Sequence, residues 1–362
     1  MKILYVSRLE GNLWQGPTHS VPMQIKYQSL IDDVLWVNLC PALNAEWKEL
    51  PYYKEMSKGL KTGLDDIPNE YSNPDIVVFE GVYEYPFAKI IKDILAQNIP
   101  YVIVPRSALT SDAQKKKHIK KHIGNTLFFR KFIYNARSIQ YLTQAEYVDS
   151  KNWSTAHFVA PNGIYPKQTW KQTFFDNGQV NITYVGRIEK YQKGLDILIS
   201  ACSIVADELR DSRTSLHLYG PDRENSFFEL KNDIEINNLS DVIILHESVF
   251  GKEKETVLLN SDAFIMTSRF EGLPMGMIEA LSYGIPVIAT HGTNLTDEIR
   301  MADAGWTSDN SVEGIVNMLR KVLAEKDKFS EKSNNALNLS KQYNWSTIAK
   351  CTHDEYERLT NM

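Results

Sequence analysis

The chain has 362 residues, more than one hydrophobic core usually organises, so its length favours two domains. Apolar residues at 43% and charged residues at 23% are typical of globular proteins and exclude an intrinsically disordered chain. The net charge of −5 divides into +3 up to Tyr165 and −8 beyond it, so the N-terminal half is the one expected to meet an anionic partner.

The sequence lacks features of a membrane-spanning or secreted protein. The first apolar run ends at Ser7 and is too short for a signal peptide. No stretch approaches the roughly 20 apolar residues that cross a bilayer. Cys40, Cys202 and Cys351 are far apart and without CxxC spacing, which disfavours both a disulfide framework and a zinc site. We therefore expect a cytoplasmic location.

Short apolar runs alternate with amphipathic segments along the chain, a pattern typical of parallel sheets with crossover helices. The predicted strands of the first half are KILYVS, VLWVNL, DIVVF, YVIVP, SIQYL and HFVAP. Those of the second half are NITYVG, SLHLYG, VIILH, AFIMTS and IPVIAT. Apolar spacing predicts helices over Tyr85–Gln97, Leu195–Leu209, Phe227–Asn237, Lys252–Asn260, Val312–Glu325, Ser330–Gln342 and Ser346–Asn361. The predicted fold class is α/β.

The boundary between the two predicted domains falls in PNGIYPKQTW, Pro161–Trp170, where Pro, Asn and Gly end a strand. We predict an N-terminal domain over residues 1–165 and a C-terminal domain over residues 166–343. The last helix is expected to begin with Ser346 as its N-cap.

The segment YVGRIEKYQKGLDILISA combines a strand end, two glycines, several cations and a helix start. Gly186 lets the backbone approach a ligand, and Gly194 precedes a helix whose N-terminal N–H groups favour an anion. Arg187 can clamp phosphate oxygens with its fork of donors, and Lys193 adds a point charge. These features predict a diphosphate site. The alternative is that both cations, with Lys190, are solvated loop residues.

A second segment, TSRFEGLPMGMIEALSYGIPVIAT, contains Glu271 and Glu279. Its strand delivers Glu271 to the carboxyl edge of a sheet, where ligands of open α/β sheets bind, and the next helix carries Glu279. Glu279 can accept hydrogen bonds from the vicinal hydroxyls of a ribose, and Glu271 from those of a sugar. The loop adds candidate sugar contacts at Gly272, Leu273, Pro274 and Met275. Their N–H groups are the expected donors, except for the proline, which has none. The alternative is that the two glutamates have this spacing by chance.

The elements GRI, KGLDILI, EGLP and GIPVIAT follow one another in this order. This succession resembles the retaining glycosyltransferases of family 4, the group 1 glycosyltransferases with a GT-B fold, strongly in the second half and weakly in the first. The resemblance implies two Rossmann-like domains facing across a cleft. The C-terminal domain would bind the nucleotide-sugar donor, the N-terminal domain would lie on the acceptor side, and a helix at about 344–362 would pack back on it.

The resemblance also assigns residues. It implies that Arg187 and Lys193 bind the donor diphosphate, that Glu271 contacts the donor sugar and that Glu279 contacts the ribose. The first three are therefore the expected catalytic residues. The segments LYGPD and ESVFG border the nucleotide in the family, the latter near the base, which adds Gly220 and Val249.

The N-terminal half departs from the family pattern at two places. Where the family has a paired-glycine loop, this chain has GNLWQGPTHS, and we expect Gly16 still to approach the diphosphate. Where many members have a histidine facing the donor sugar, this chain has Arg106 and Ser107. We expect both to lie on the acceptor side, with Arg106 near the acceptor or the phosphate. Its alternative is to pair with a carboxylate across the cleft.

Glycosyl transfer develops negative charge on the departing diphosphate. Many glycosyltransferases hold a divalent cation there with an Asp-x-Asp motif, and this sequence has no such triplet. We therefore predict a reaction without metal or cofactor, in which Arg187, Lys193 and the helix N-terminus replace the cation.

A basic run and an aromatic cluster follow one another in the first half. They comprise Lys115, Lys116, Lys117, Lys120, Lys121, Phe128, Phe129, Phe132 and Tyr134. This mixture predicts peripheral contact with anionic lipid at the inner face of a membrane. The alternative is a solvated lysine face followed by aromatics that pack in the core. Nucleic acid is disfavoured because no recognised binding module accompanies the run.

The expected function is transfer of a sugar from a nucleotide-diphosphate sugar to a saccharide or lipid-linked saccharide, in surface polysaccharide or glycoconjugate synthesis. A uridine nucleotide is the donor that the family favours. Two alternatives remain: a nucleotide-sugar epimerase of the same architecture, and a non-catalytic partner that binds nucleotide sugar. A dinucleotide oxidoreductase is disfavoured because GxGxxG does not follow the first strand.

Overall fold

The computed structural model describes residues 1–12, 16–43, 46–115, 124–150, 153, 156–223 and 225–361. The chain divides into two compact units. Unit 1 comprises Met1–Gly163 and Trp345–Met362, and unit 2 comprises Ile164–Asn344. The first division lies two residues before the predicted boundary at 165/166, and the second lies one residue after that at 343/344.

Unit 1 is built on a parallel sheet. Its strands are β1 Lys2–Ser7, β2 Asp33–Asn38, β3 Tyr53–Glu55, β4 Ile76–Glu80, β5 Tyr101–Val104, β6 Ser138–Tyr141 and β7 His157–Val159. They pair in the order β3-β2-β1-β4-β5-β6-β7. The accompanying helices within the described ranges are α1 Gly16–Gln28, α2 Lys89–Ala96, α3 Ser111–Lys115, α4 Arg130–Tyr134 and α5 Gln144–Ser150.

Unit 2 is built on a second parallel sheet. Its strands are β8 Val180–Val185, β9 Thr214–Tyr219, β10 Ile243–His246, β11 Ala263–Met266, β12 Val287–Thr290 and β13 Gly305–Ser308. They pair in the order β10-β9-β8-β11-β12-β13, so the order reverses between β8 and β11. The helices are α6 Leu195–Ile204, α7 Ala206–Asp211, α8 Ser226–Ile236, α9 Gly251–Leu259, α10 Met275–Ser282, α11 Thr296–Ala302, α12 Val312–Ala324 and α13 Phe329–Ser340.

The last helix, α14 Trp345–Thr360, belongs to unit 1. It packs against α1, and its Tyr356 is fully buried, donating a hydrogen bond to Gln140 Oε1 at 3.0 Å. Its His353 lies 2.9 Å from the buried carboxylate of Asp32. The C-terminal segment is thus held to unit 1 by apolar packing and by polar contacts.

The central strands are buried along most of their length because helices cover both faces of a parallel sheet. All five residues of β4 are buried, as are the last five of β1. Unit 1 has one apolar cluster on each face of its sheet, whereas the core of unit 2 forms one continuous cluster. The eleven apolar runs of the sequence are near-continuous for this reason, and each of them forms a strand.

The structure confirms the α/β class with two parallel sheets and corrects several details. β3 and β13 are additional strands, which the apolar pattern missed because their residues are mixed in polarity. The helix predicted over Leu195–Leu209 is interrupted at Val205, which has φ −107° and ψ 20°. The Ser346 N-cap is wrong: the helix already begins at Trp345, because Asn344 is extended and pairs with Ile164.

The structure also bears on two features of the sequence, the lack of a long apolar stretch and the three cysteines. In the ranges that the structure describes, no helix combines the length and apolar content needed to cross a bilayer. Cys40, Cys202 and Cys351 are free thiols, and the first two are buried.

Candidate functional site

The site of unit 2 lies where the strand order reverses, at the carboxyl ends of β8 and β11. Open α/β sheets bind ligands at this point, because the loops that leave the two strands diverge there. The loop after β8, residues 186–194, is called the cation loop. The loop after β11, residues 267–274, is called the carboxylate loop.

Two glycines allow the loops around the site to meet through their backbones. Gly194 has φ +62°, and a Cβ built on it would lie 2.1 Å from the carbonyl oxygen of Thr267. A Cβ on Gly220, which follows β9, would lie 1.6 Å from the carbonyl oxygen of Gly186. The hydroxyl of Thr267 donates hydrogen bonds to the carbonyls of Lys193 and Gly194 at 3.2 and 3.0 Å. Larger residues at these glycines would push the loops apart.

The central contact of the site is an ion pair between the loops. Lys193 Nζ lies 2.5 Å from Glu271 Oε1, and the two side chains are only 9% and 10% exposed. Ser268 Oγ donates to the same oxygen at 2.6 Å. Asn294 Nδ2, from the turn after β12, donates to the backbone carbonyl of Glu271. The structure thus brings together the predicted cation and the predicted carboxylate in a nearly desolvated place.

Arg269 belongs to the carboxylate loop and forms hydrogen bonds to the cation loop and to the start of α6. Its guanidinium forms a bidentate pair with Asp196 at 2.7 and 2.8 Å and donates to the carbonyl of Tyr191 at 2.6 Å. Its backbone N–H donates to the carbonyl of Gln192 at 2.8 Å. These bonds fix the loop that carries Lys193.

The other cations of the cation loop differ in their surroundings. Arg187 is 43% exposed and has two long contacts, to Glu189 at 3.3 Å and to Gln192 at 3.4 Å. Its guanidinium is therefore accessible to a ligand. Lys190 instead pairs with Asp233 at 2.6 Å on α8 and is a surface cation.

Glu279 lies one turn inside α10, as the spacing predicts. Lys254 of α9 lies 2.8 Å from its Oε2, and Lys167 lies 3.6 Å from its Oε1. All three side chains are between 20% and 30% exposed.

The loop before α10 carries the predicted sugar contacts. The N–H of Met275 donates to the carbonyl of Leu273 at 3.0 Å. Its contact with a sugar stays a prediction. Pro274 is buried, and Gly272 is exposed.

Gly220 and Val249 follow β9 and β10, on the far side of β8 from the carboxylate loop. Val249 is 8% exposed, so most of its side chain packs inside unit 2. The two residues thus lie at the same carboxyl edge as the ion pair.

In unit 1, Arg106 follows β5 and is nearly buried at 8% exposure. Its Nε lies 2.7 Å from Glu80 Oε2, and its other nitrogens donate to Ser20, Gln24 and Asn162 at 3.0, 2.9 and 3.3 Å. Burial raises the pKa of Glu80, and the Arg106 charge opposes that rise. Arg106 thus pairs with a carboxylate of its own unit, at the end of β4.

Ser107 and Gly16 complete the predicted residues of unit 1. Both Arg106 and Ser107 have positive φ, +50° and +65°. The Ser107 N–H donates to Glu146 Oε1 at 2.5 Å, and burial raises the pKa of that carboxyl. Gly16 is the first residue of α1 rather than a loop residue, and no described atom lies within 4 Å of a Cβ built on it.

The predicted membrane segment is described only in part. Lys116, Lys117, Lys120 and Lys121 lie outside the described residues, and Lys115 ends α3. Phe132 is 4% exposed and packs on Tyr101 and Phe79 in the core, so its predicted contact with lipid is wrong. Phe128 is 48% exposed and contacts Phe87, itself 53% exposed, with ring centroids 5.2 Å apart. Tyr134 is also 48% exposed.

No cluster of three or more His, Cys, Asp or Glu side chains suited to a metal occurs among the residues that the structure describes. The absence of a metal from the reaction stays a prediction.

Residues 167–339 match the sequence model of the family described as "Glycosyl transferases group 1". Unit 2 contains this whole range.

The curated relatives include the D-inositol 3-phosphate glycosyltransferase of Gordonia bronchialis, 25% identical over 192 residues. The match covers 51% of this chain and 41% of the relative, so the chain spans about two-fifths of that protein's length.

Two solved structures illustrate the fold that this chain shares with known proteins. Anabaena Alr3699/HepE in complex with UDP aligns with a TM-score of 0.74 and 14% identity, covering 99% of this chain and 100% of its own. The apo lipopolysaccharide outer core galactosyltransferase WaaB aligns with a TM-score of 0.72 and 15% identity, covering 98% of each chain. These likenesses establish the fold, and with the two parallel sheets they confirm the GT-B class.

Several contributors to the site were not identified from the sequence. They are Lys167, Asp196, Lys254, Ser268, Arg269 and Asn294. Ser268 and Arg269 lie three and two residues before Glu271, so the segment TSRFEG already contained both of them. The other four reach the site from separate elements, and no local pattern reveals their partners.

Replacement of Gly194 by alanine tests the close approach of the two loops. Gly194→Ala should lower the free energy of unfolding by about 1–3 kcal/mol more than Gly178→Ala, because only the former drives a methyl into Thr267. Both glycines have left-handed φ, +62° and +71°, and no described atom lies within 4 Å of a Cβ on Gly178. Urea unfolding of both variants makes the comparison. Equal losses of unfolding free energy in the two variants would show that Gly194 is required for its backbone conformation and not for contact with the carboxylate loop.

Proposed function

We propose that this chain is a retaining glycosyltransferase of family 4, which moves a sugar from a nucleotide-diphosphate donor to a saccharide or lipid-linked saccharide. The observation that carries the proposal is the contact of Lys193 with Glu271 at the strand-order reversal of unit 2, the unit that matches the group 1 glycosyltransferase model. A cation for the leaving group and a carboxylate for the sugar hydroxyls then lie side by side.

In this proposal Lys193 and Arg187 bind the two phosphates of the donor. Arg187 is accessible, whereas Lys193 exchanges its carboxylate partner for a phosphate oxygen when the donor binds. Glu271, released from the lysine and still held by Ser268, accepts hydrogen bonds from the sugar. Glu279 accepts them from the ribose.

The transfer breaks the bond between the anomeric carbon and the diphosphate oxygen and forms a bond to the acceptor oxygen on the same face. The acceptor proton passes to the departing diphosphate, so atoms and charge balance. Negative charge grows on the diphosphate in the transition state, and fixed cations beside it lower the barrier. We propose that no metal ion takes part, because Arg187, Lys193 and the N-terminus of α6 supply the positive charge.

Uridine is the proposed base of the donor, supported by the UDP bound to the Anabaena relative. The WaaB relative acts in lipopolysaccharide synthesis, which supports a surface glycan or glycoconjugate as the product here. We place the reaction in the cytoplasm, with Arg106 and Ser107 on the acceptor side.

Incubation of the protein with a panel of nucleotide sugars tests the function. Release of nucleoside diphosphate that accelerates with saccharide acceptors supports a transferase. Appearance of an isomeric nucleotide sugar without release would identify an epimerase. Binding without turnover in the presence of every acceptor would identify a non-catalytic partner.

The cations of the cation loop should differ in their effect on transfer. Lys193→Ala and Arg187→Ala should each lower kcat by about 10²–10³, because each removes a charge contact to the developing diphosphate anion. Lys190→Ala is the matched control and should retain nearly the wild-type rate, since its partners lie on α8. Steady-state kinetics of the three variants, with circular dichroism to verify folding, gives the answer. Near-wild-type turnover in both Lys193→Ala and Arg187→Ala would contradict the proposed role of these cations.

We also propose peripheral contact with anionic membrane through the exposed pair Phe87 and Phe128 and through the basic run that precedes Phe128 in the sequence. Phe87→Ser with Phe128→Ser should reduce co-sedimentation with vesicles that contain phosphatidylglycerol, because the two rings are exposed together. Phe228→Ser is the control, since that ring is 69% exposed in unit 2. Absence of binding by the wild-type protein at low salt would end the proposal.

A further inference from the structure

We propose that Lys254 is a positioning residue for the ribose of the donor, acting through Glu279. This inference rests on the proposed function and names a residue that the resemblance does not assign. Lys254 Nζ lies 2.8 Å from Glu279 Oε2, a charge-assisted hydrogen bond that leaves the other carboxylate oxygen open. Lys167 approaches that second oxygen only to 3.6 Å, beyond hydrogen-bond distance.

Lys254 and Glu279 lie on two different helices of the proposed nucleotide site. Lys254 lies one turn inside α9, which begins at Gly251, the last residue of the segment ESVFG that contains Val249. That segment is the one proposed to border the base, whereas Glu279 lies on α10 and is proposed to bind the ribose. The bond between the two helices therefore joins the base side of the nucleotide site to its ribose side.

The chemistry of a carboxylate explains what the lysine achieves. A free glutamate samples several rotamers, and ordering it on binding costs part of the affinity. Lys254 holds Glu279 in one orientation before the nucleotide arrives. An ionised carboxylate has about four lone-pair sites, so one bond from Lys254 still leaves acceptors for two vicinal hydroxyls. The arrangement selects a nucleotide with both ribose hydroxyls over its 2′-deoxy analogue.

A role of Lys254 in folding stability can be distinguished experimentally from its proposed role in positioning Glu279. The two side chains are 30% and 20% exposed, and ion pairs so open to solvent contribute little to folding. Replacement of the lysine should therefore leave the melting temperature nearly unchanged. A positioning role predicts instead a change in ribose discrimination.

The experiment measures dissociation constants of the full chain by isothermal titration calorimetry. The four ribonucleoside diphosphates are titrated first, and the one that binds the wild type most tightly is then compared with its 2′-deoxy form. Lys254→Met should lower the deoxy-to-ribo ratio of dissociation constants by about three- to tenfold. Lys254→Arg should restore it, because arginine keeps the charge and the reach.

Two reference variants complete the design. Lys252→Met is the matched control on the same helix. Its side chain is exposed and makes no ion pair among the described residues, so the ratio should equal that of the wild type. Glu279→Gln should abolish most of the discrimination.

The possible failures are distinguishable. If the wild type binds none of the four diphosphates, the proposed function itself is wrong. If the wild type binds and Glu279→Gln loses discrimination but Lys254→Met keeps it, the inference about Lys254 is overturned. A loss in Lys254→Met that is equal for both nucleotides, with the ratio unchanged, also overturns it, because the lysine then acts elsewhere on the ligand.

Discussion

The ion pair of Lys193 and Glu271 is the interaction on which the site of unit 2 depends. Both charges are about nine-tenths buried, and removal of one partner from such a pair costs about 3–5 kcal/mol because the other charge remains unsolvated. Each loop therefore supplies the charge that stabilises the buried charge of the other loop. Gly194 brings the two backbones into contact, and Arg269 ties them at the side. In the proposed reaction this pair opens, and the diphosphate takes the place of the carboxylate.

The three cations proposed to act at the nucleotide-sugar site differ in their exposure to solvent. Arg187 is open to solvent, Lys193 is nearly buried, and Lys254 lies between them in exposure. An accessible arginine suits the first encounter with an anion, and a desolvated lysine suits the point where charge develops, because Coulomb interactions strengthen away from water. Unit 1 differs, since the guanidinium of Arg106 is already satisfied by Glu80 and three neutral side chains.

The sequence predicted the fold where local pattern and burial agree. Parallel strands covered on both faces read as apolar runs, so the eleven runs identified the sheets. Helix α1 was missed because its buried face includes Thr18, Gln24 and Gln28, which break the apolar spacing of an amphipathic helix. The strands β3, YKE, and β13, GWTS, mix polar with apolar residues and therefore form no apolar run.

Only the part of the site that lies within local sequence motifs could be predicted. Glycine spacing and the position of Glu271 after a strand indicated the right edge of the sheet. The contacts of Lys254 with Glu279, and of Asn294 with Glu271, join residues more than 20 positions apart, so only the folded chain reveals them. For the same reason the sequence left open which carboxylate Arg106 would meet.

The most direct test of the account is the rate of sugar transfer by the full chain in excess chelator, compared with the rate in magnesium or manganese. The account predicts equal rates, because Lys193, Arg187 and the N-terminus of α6 neutralise the departing diphosphate. Loss of transfer in chelator, restored by the added metal, would contradict it.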